Sequence, residues 1–186
     1  MQPTDLSRYA LVVVDVQQGF DDASWGVRNN EECDTNIDVL VHHWAGLGRP
    51  VVYVQHDSVH PESPLHPDSA GHRLKEYLAD VTPDLVVRKT VNSSFHGAPD
   101  LDEWLRSSDV AGIVVCGITT NHCCETTARV GGNLGHDVLY ALDATHTFDR
   151  EAPDGTVVTA DELARVTATN LHGEFATVVG TAELLR

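Results

Sequence analysis

The sequence predicts an α/β fold: a mainly parallel sheet of about six strands, sandwiched between helices in three layers. Three observations predict it. Short apolar runs rich in Val, Ile and Leu alternate with segments of helical periodicity from end to end. The runs are continuous, as strands covered on both faces require. No long linker, repeat or low-complexity block interrupts the alternation, so the 186 residues read as one domain, 1–186.

The elements follow in order. Ala10–Val16 (ALVVVDV) is a continuous apolar run closed by an acid, and it predicts the first strand. Ile37, Leu40, Val41, Trp44 and Leu47 recur at helical spacing, with Asp34 or Thr35 as cap and Gly48 as stop. Pro50–Gln55 (PVVYVQ) is the second strand. Residues 57–71 carry Pro61, Pro64, Pro67 and Gly71 and form a loop. Leu85–Val87 is a short strand leading into Lys89, and Pro99–Arg106 is a helix with proline at its first turn. Ala111–Cys116 (AGIVVC) is a buried strand ended by Gly117, and Asn121 to Asn133 continues as a helix. His136–Leu142 is the next strand and 144–158 a loop. Thr159 and Glu162 form the capping pattern of a helix over 159–171. Ala176–Val179 is the last strand, before a terminal helical turn.

The chain carries 28 acidic against 12 basic side chains, a formal charge of −16. That balance opposes nucleic-acid backbones and anionic membrane surfaces, so neither is expected as a partner. It serves solubility first, and as a second reading it attracts a cationic substrate. Eleven histidines reduce the negative charge somewhat below about pH 6. No stretch approaches the ~20 apolar residues that span a bilayer. The start, MQPTDLSRYALVVVDVQ, lacks a basic region and a cleavage pattern, which reads as a cytoplasmic protein. Cys33, Cys116, Cys123 and Cys124 are then reduced thiols, with no C-x-x-C pair among them.

Ligands of open parallel sheets bind beyond the carboxyl ends of the strands. Asp15 after the first strand, Lys89 after the third and the segment Gly117–Cys124 after the fourth all fall on that rim. A cysteine in the last of these, at the opening of a helix, meets backbone N–H groups and the positive end of the helix dipole. Both favour the thiolate and stabilise an oxyanion. Cys116 reads as a small buried hydrophobe, and Cys33 sits among acids that oppose a thiolate. Pattern alone leaves Cys123 and Cys124 tied.

The motifs go further. Asp15, Val16, Gln17 and Phe20 form D-V-Q-x-x-F; Lys89, Ser93 and Phe95 form K-x-x-x-S-x-F; Gly117, Ile118, Thr120 and Cys123 form G-I-x-T-x-x-C. In this order and spacing, over nearly the whole chain, they resemble the isochorismatase-like cysteine hydrolases, which include nicotinamidases, N-carbamoylsarcosine amidase and biuret hydrolase. The resemblance implies a Rossmann-like α/β/α sandwich and selects Cys123 as nucleophile. Asp15 is then the general base and Lys89 its positioning cation. It implies a cis bond between Ile118 and Thr119, with the Thr119 and Cys123 N–H groups facing the oxyanion. Cys124 packs behind the nucleophile. No cofactor is implied, and a homo-oligomer, dimer or tetramer, is.

One departure concerns metal. Metal-binding nicotinamidases carry Asp-x-His after the second strand, whereas this chain reads Gln55-His56-Asp57-Ser58-Val59-His60-Pro61. His56, Asp57, His60, His66 and His72 therefore read as a polar loop through which substrate enters, not as a metal site. Phe20 and Phe95 are the expected apolar wall and Gln17 and Asn92 the polar contacts for a small amide, ureide or carbamoyl substrate. Alternatives are hydrolysis of a cationic amide or lactam, isochorismatase-type vinyl-ether hydrolysis, and a non-catalytic binding module.

Overall fold

In the computed structural model, which describes residues 5–186, the apolar runs become a six-stranded sheet. The chain forms β1 (Tyr9–Val14), α1 (Cys33–Gly46), β2 (Val51–His56), β3 (Leu85–Lys89), α2 (Leu101–Ser107) and β4 (Gly112–Ile118). It continues through α3 (Glu125–Asn133), β5 (Asp137–His146), β6 (Arg150–Glu151), β7 (Val157–Val158), α4 (Ala160–Leu171), β8 (Thr177–Val179) and α5 (Thr181–Leu184). The sheet runs β3-β2-β1-β4-β5-β8, with every pairing parallel. Strand order reverses at β1, where the chain crosses to the other side and adds β4. A crevice opens at the carboxyl ends of such a pair.

β1 and β4 are buried at every residue. Successive strand residues face opposite ways, so a sheet covered on both sides needs apolar residues throughout. Leu11, Val13 and Val114 pack on Ile37, Leu40 and Trp44 of α1. Val12, Val14 and Val115 pack on Leu101 and Leu105 of α2, Ala128 of α3 and Leu171 of α4. Each fully buried side chain of this kind contributes about 1.5–3 kcal/mol. Such a core needs no staple, and all four cysteines are free thiols.

Boundaries differ from expectation where polar bonding overrides pattern. Neither Asp34 nor Thr35 caps α1, which begins at Cys33 behind Glu32. The Asp34 carboxylate instead accepts from Arg28, Lys75 and Tyr77. Pro99 precedes the cap of α2 instead of occupying its first turn; Asp100 accepts from the Glu103 N–H. The helix expected from Asn121 starts at Glu125, after a wide turn over Thr120–Cys124 in which the Cys124 N–H reaches the Thr119 carbonyl at 3.2 Å. Residues 144–158 are not all loop. β5 runs on to His146 beyond a register shift opposite Val115 and Gly117, and β6 and β7 form an antiparallel hairpin. The capping box of Thr159 and Glu162 is present at α4.

Candidate active site

The three rim positions converge because the backbone turns sharply at each strand end. Asp15 takes a left-handed conformation (φ 52°), which Asp tolerates better than most residues, while its N–H donates to the Val54 carbonyl at 2.9 Å. Opposite it, Gly117 has φ 123°, and a Cβ there would stand 2.1 Å from the Val14 carbonyl oxygen. Only glycine lets β4 pass β1 at this point. The Ile118–Thr119 bond that follows is cis. Lys89 ends β3 in register with His56 at the end of β2, so both reach the same rim.

Lys89 Nζ donates to Asp15 Oδ2 at 2.6 Å, and neither side chain has any solvent exposure. A second contact, 3.3 Å long, joins Lys89 Nζ to His56 Nδ1. Asp15 Oδ1 is buried and has no hydrogen-bond partner among the described residues. An Asp15 oxygen, a His56 ring nitrogen and Cys123 Sγ all lie within 4.8 Å of one another. Cys123 Sγ is also 3.7 Å from Asn92 Oδ1. Cys123 retains 8% exposure and faces a cavity, whereas Cys124 is wholly enclosed in the core.

Charge balance in this cluster differs from the helix-dipole expectation. Burial pushes the Cys123 thiol well above its ordinary pKa, the Asp15 charge adds to the rise, and Lys89 opposes it without prevailing. The resting sulfur is therefore a neutral thiol. Burial alone would lower the Lys89 pKa, yet the Asp15 carboxylate against it holds it above the ordinary value. Burial and then Lys89 lower His56, which leaves its Nδ1 an acceptor for the ammonium.

The cavity measures about 130 Å³, small beside the several hundred common for ligand pockets. Asp15, Phe20, Asn92, Thr119 and Cys123 line it, together with Trp25, His56, Leu65, His122 and Arg150. Trp25 lies between Phe20 and Phe148, with ring centroids 5.1 and 5.6 Å away, and makes an aromatic wall. Phe95 is elsewhere, stacked on His136 at 5.6 Å beside Gly131 of α3. Gln17 is also outside the lining. Its amide donates to the His56 and His72 carbonyls at 3.1 and 2.9 Å and accepts from the His56 N–H at 2.8 Å.

Trp25 and Arg150 carried no sequence signal, because their segments lack a motif, whereas His122 sits at an unspecified position inside the G-I-x-T-x-x-C motif, next to Cys123. His56 had one: it is the last residue of a strand whose neighbours end in Asp15 and Lys89.

Of the five loop residues considered for metal, only Asp57 and His72 meet. Asp57 is already held by Arg88 at 2.9 and 2.7 Å and by His72 Nε2 at 2.8 Å. Among the described residues, Asp15, His56 and Cys123 are the group with ligand spacing. The Lys89 ammonium already sits against two of them, so an added cation would meet direct repulsion. None of the helices is long and apolar enough to cross a membrane, among the described residues.

A family model described as the isochorismatase domain matches residues 9–170. The isochorismatase family protein YrdC of Bacillus subtilis is 39% identical over 95% of this chain and 94% of its own length. Nicotinamidase 3 of Arabidopsis thaliana is 30% identical, over 80% of this chain and 78% of its own. Among solved structures, a putative isochorismatase-family hydrolase from Chromobacterium violaceum superposes with a TM-score of 0.90 at 34% identity, covering 96% of this chain and 92% of that one. A cysteine hydrolase from Pseudomonas syringae gives 0.88 at 29% identity over 100% and 94%.

Proposed function

Because the chain belongs to the isochorismatase family, a family of hydrolases, we propose that it cleaves a small amide, ureide or carbamoyl C–N bond through a thioester on Cys123. One observation carries this reading. Asp15 gives one oxygen to Lys89 and keeps the other unpartnered, within reach of a neutral thiol that opens onto a cavity. A base, its positioning cation and a nucleophile are the parts that acyl transfer needs.

The steps follow from these groups. Asp15 takes the proton from Cys123 Sγ, and the thiolate attacks the substrate carbonyl carbon. Charge moves to the carbonyl oxygen, where the Thr119 and Cys123 N–H groups are the donors. Protonated Asp15 returns its proton to the leaving nitrogen as the C–N bond breaks, leaving an acyl thioester and a free amine or ammonia. Water then gives a proton to Asp15 and attacks the thioester, releasing the acid and restoring the thiol. Lys89 stays protonated throughout, and His56 supplies its second acceptor.

The substrate is small. A cavity of about 130 Å³ lies below the several hundred common for ligand pockets, which favours a small substrate. Phe20 and Trp25 offer it an apolar face, and Asn92 a polar one. The chemistry requires only small solutes as partners and no cofactor.

Acid-quenched intact-mass analysis after mixing with a panel of small amides, ureides and carbamoyl compounds tests the proposal. An acyl adduct on Cys123 is expected, and Cys123→Ala loses both adduct and turnover while remaining folded. Full activity in that variant overturns the reading.

A further inference from the structure

We propose that Arg150 is a specificity residue that captures a carboxylate on the substrate, so that the preferred substrates are short amides carrying an anionic group. This rests on the hydrolase reading above and adds the substrate's charge to it.

Arg150 belongs to the β6–β7 hairpin, and it lines the same cavity as Cys123. Most of the chain's 12 Lys and Arg side chains pair with carboxylates, including Arg28, Lys75, Arg88 and Arg129. Arg150 has no ion pair or side-chain hydrogen bond among the described residues. In a chain with 28 acids, a guanidinium left without a carboxylate at the edge of a reactive cavity is available for an anion from outside.

Nearby acids do not cancel it. Asp15 is committed to Lys89. Glu125, next to the wide turn, gives one oxygen to Arg129 and the other to Thr167. Glu151 follows Arg150 in the strand, points to the opposite face and is absent from the cavity lining. His122 is the remaining titratable group at this edge. It lines the cavity together with Arg150, and burial, then the Arg150 charge, keep its pKa below the ordinary value against an opposing pull from Glu125.

The formal charge of −16 argues the other way, for a cationic substrate. Distance decides between them. At physiological salt the Debye length is about 8 Å, so carboxylates spread over the surface are largely screened from a bound substrate, whereas Arg150 acts at contact. A planar guanidinium is also matched in shape to a carboxylate, as it is not to an ammonium. Arg150 and Cys123 line the same small cavity, so a short substrate can present its carbonyl to one and its carboxylate to the other.

The test uses oxamate, malonamate and succinamate, monoamides of increasing length that carry a carboxylate, each against its uncharged methyl ester. Calorimetric titration of the Cys123→Ala protein reads capture without turnover. At least one carboxylate is expected to bind about ten- to a hundredfold tighter than its ester. Adding Arg150→Ala removes that advantage, and Arg150→Lys restores part of it. Equal binding of every acid and ester, or an advantage that survives Arg150→Ala, overturns the proposal. Steady-state kinetics on the Cys123 protein separates it from the hydrolase reading. Arg150-dependent binding with no hydrolysis of any of the six compounds counts against the hydrolase reading alone. Cys123-dependent hydrolysis with no preference for the acids overturns the Arg150 assignment alone.

Discussion

Lys89 Nζ and Asp15 Oδ2 are 2.6 Å apart in a site where neither side chain meets solvent. Two charges at that depth are held by each other, because removing either leaves the other buried without a counter-ion. Lys89→Met alone is therefore expected to cost about 3–5 kcal/mol in urea unfolding. The double variant Asp15→Asn with Lys89→Met recovers most of that loss and none of the turnover. A double variant as unstable as the single one would show that the pair is not the source of the cost.

His146 gives the fold a pH limit. It ends β5, has no solvent exposure, and neither ring nitrogen has a partner among the described residues. Burial, then the charge of Arg28, lower its pKa from 6.5 to about 3. The unfolded chain takes up a proton at the higher value and the folded chain only at the lower. The neutral ring's contribution is thus complete above pH 6.5 and disappears as pH falls toward about 3. Stability is expected to drop by about 5 kcal/mol across that window from this group. His146→Phe flattens the dependence in denaturant midpoints measured from pH 7 to 4. An unchanged slope would assign the acid sensitivity to other groups.

Gly117 is where a single methyl group does most harm. Its Cβ would sit 2.1 Å from the Val14 carbonyl oxygen, on backbone that has no freedom to move between two paired strands. Its φ of 123° is strained for any side chain as well. Gly117→Ala is expected to cost about 4 kcal/mol or more, the range reserved for core disruption. Thermal unfolding checks it: a Tm within 2 °C of the parent, where about 1 kcal/mol already moves Tm by 2–4 °C, would contradict the clash.

Physical causes separate what the sequence revealed from what it hid. β1 and β4 were legible because strands buried on both faces cannot afford polar residues, and their ends marked Asp15 and Gly117. The α4 capping box was legible because Thr159 and Glu162 bond only to their own helix end. The end of β5 was hidden, since Asp143 and Thr145 break the apolar run although the strand continues. Phe95 and Phe20 read alike in their motifs, yet one packs on His136 and the other on Trp25; that choice is made by the path of intervening loops. Arg150 was hidden because an exposed arginine on a two-residue strand has no pattern at all.

Gln17 turns on the same distinction between contact and support. Its motif position suggested a group that touches substrate, but its amide is spent on three backbone bonds, two to His56 and one to His72. Gln17→Leu leaves the His56 N–H and carbonyl without these partners, at a cost of about 2–3 kcal/mol. It also frees His56, whose Nδ1 faces Lys89 at 3.3 Å, so the ammonium loses its fixed place beside Asp15. A residue acting in this way changes the chemical step more than substrate capture. The expected result is a fall in kcat with KM nearly unchanged, in a protein that is less stable but folded. A rise in KM at constant kcat would instead mean that Gln17 contacts the substrate directly.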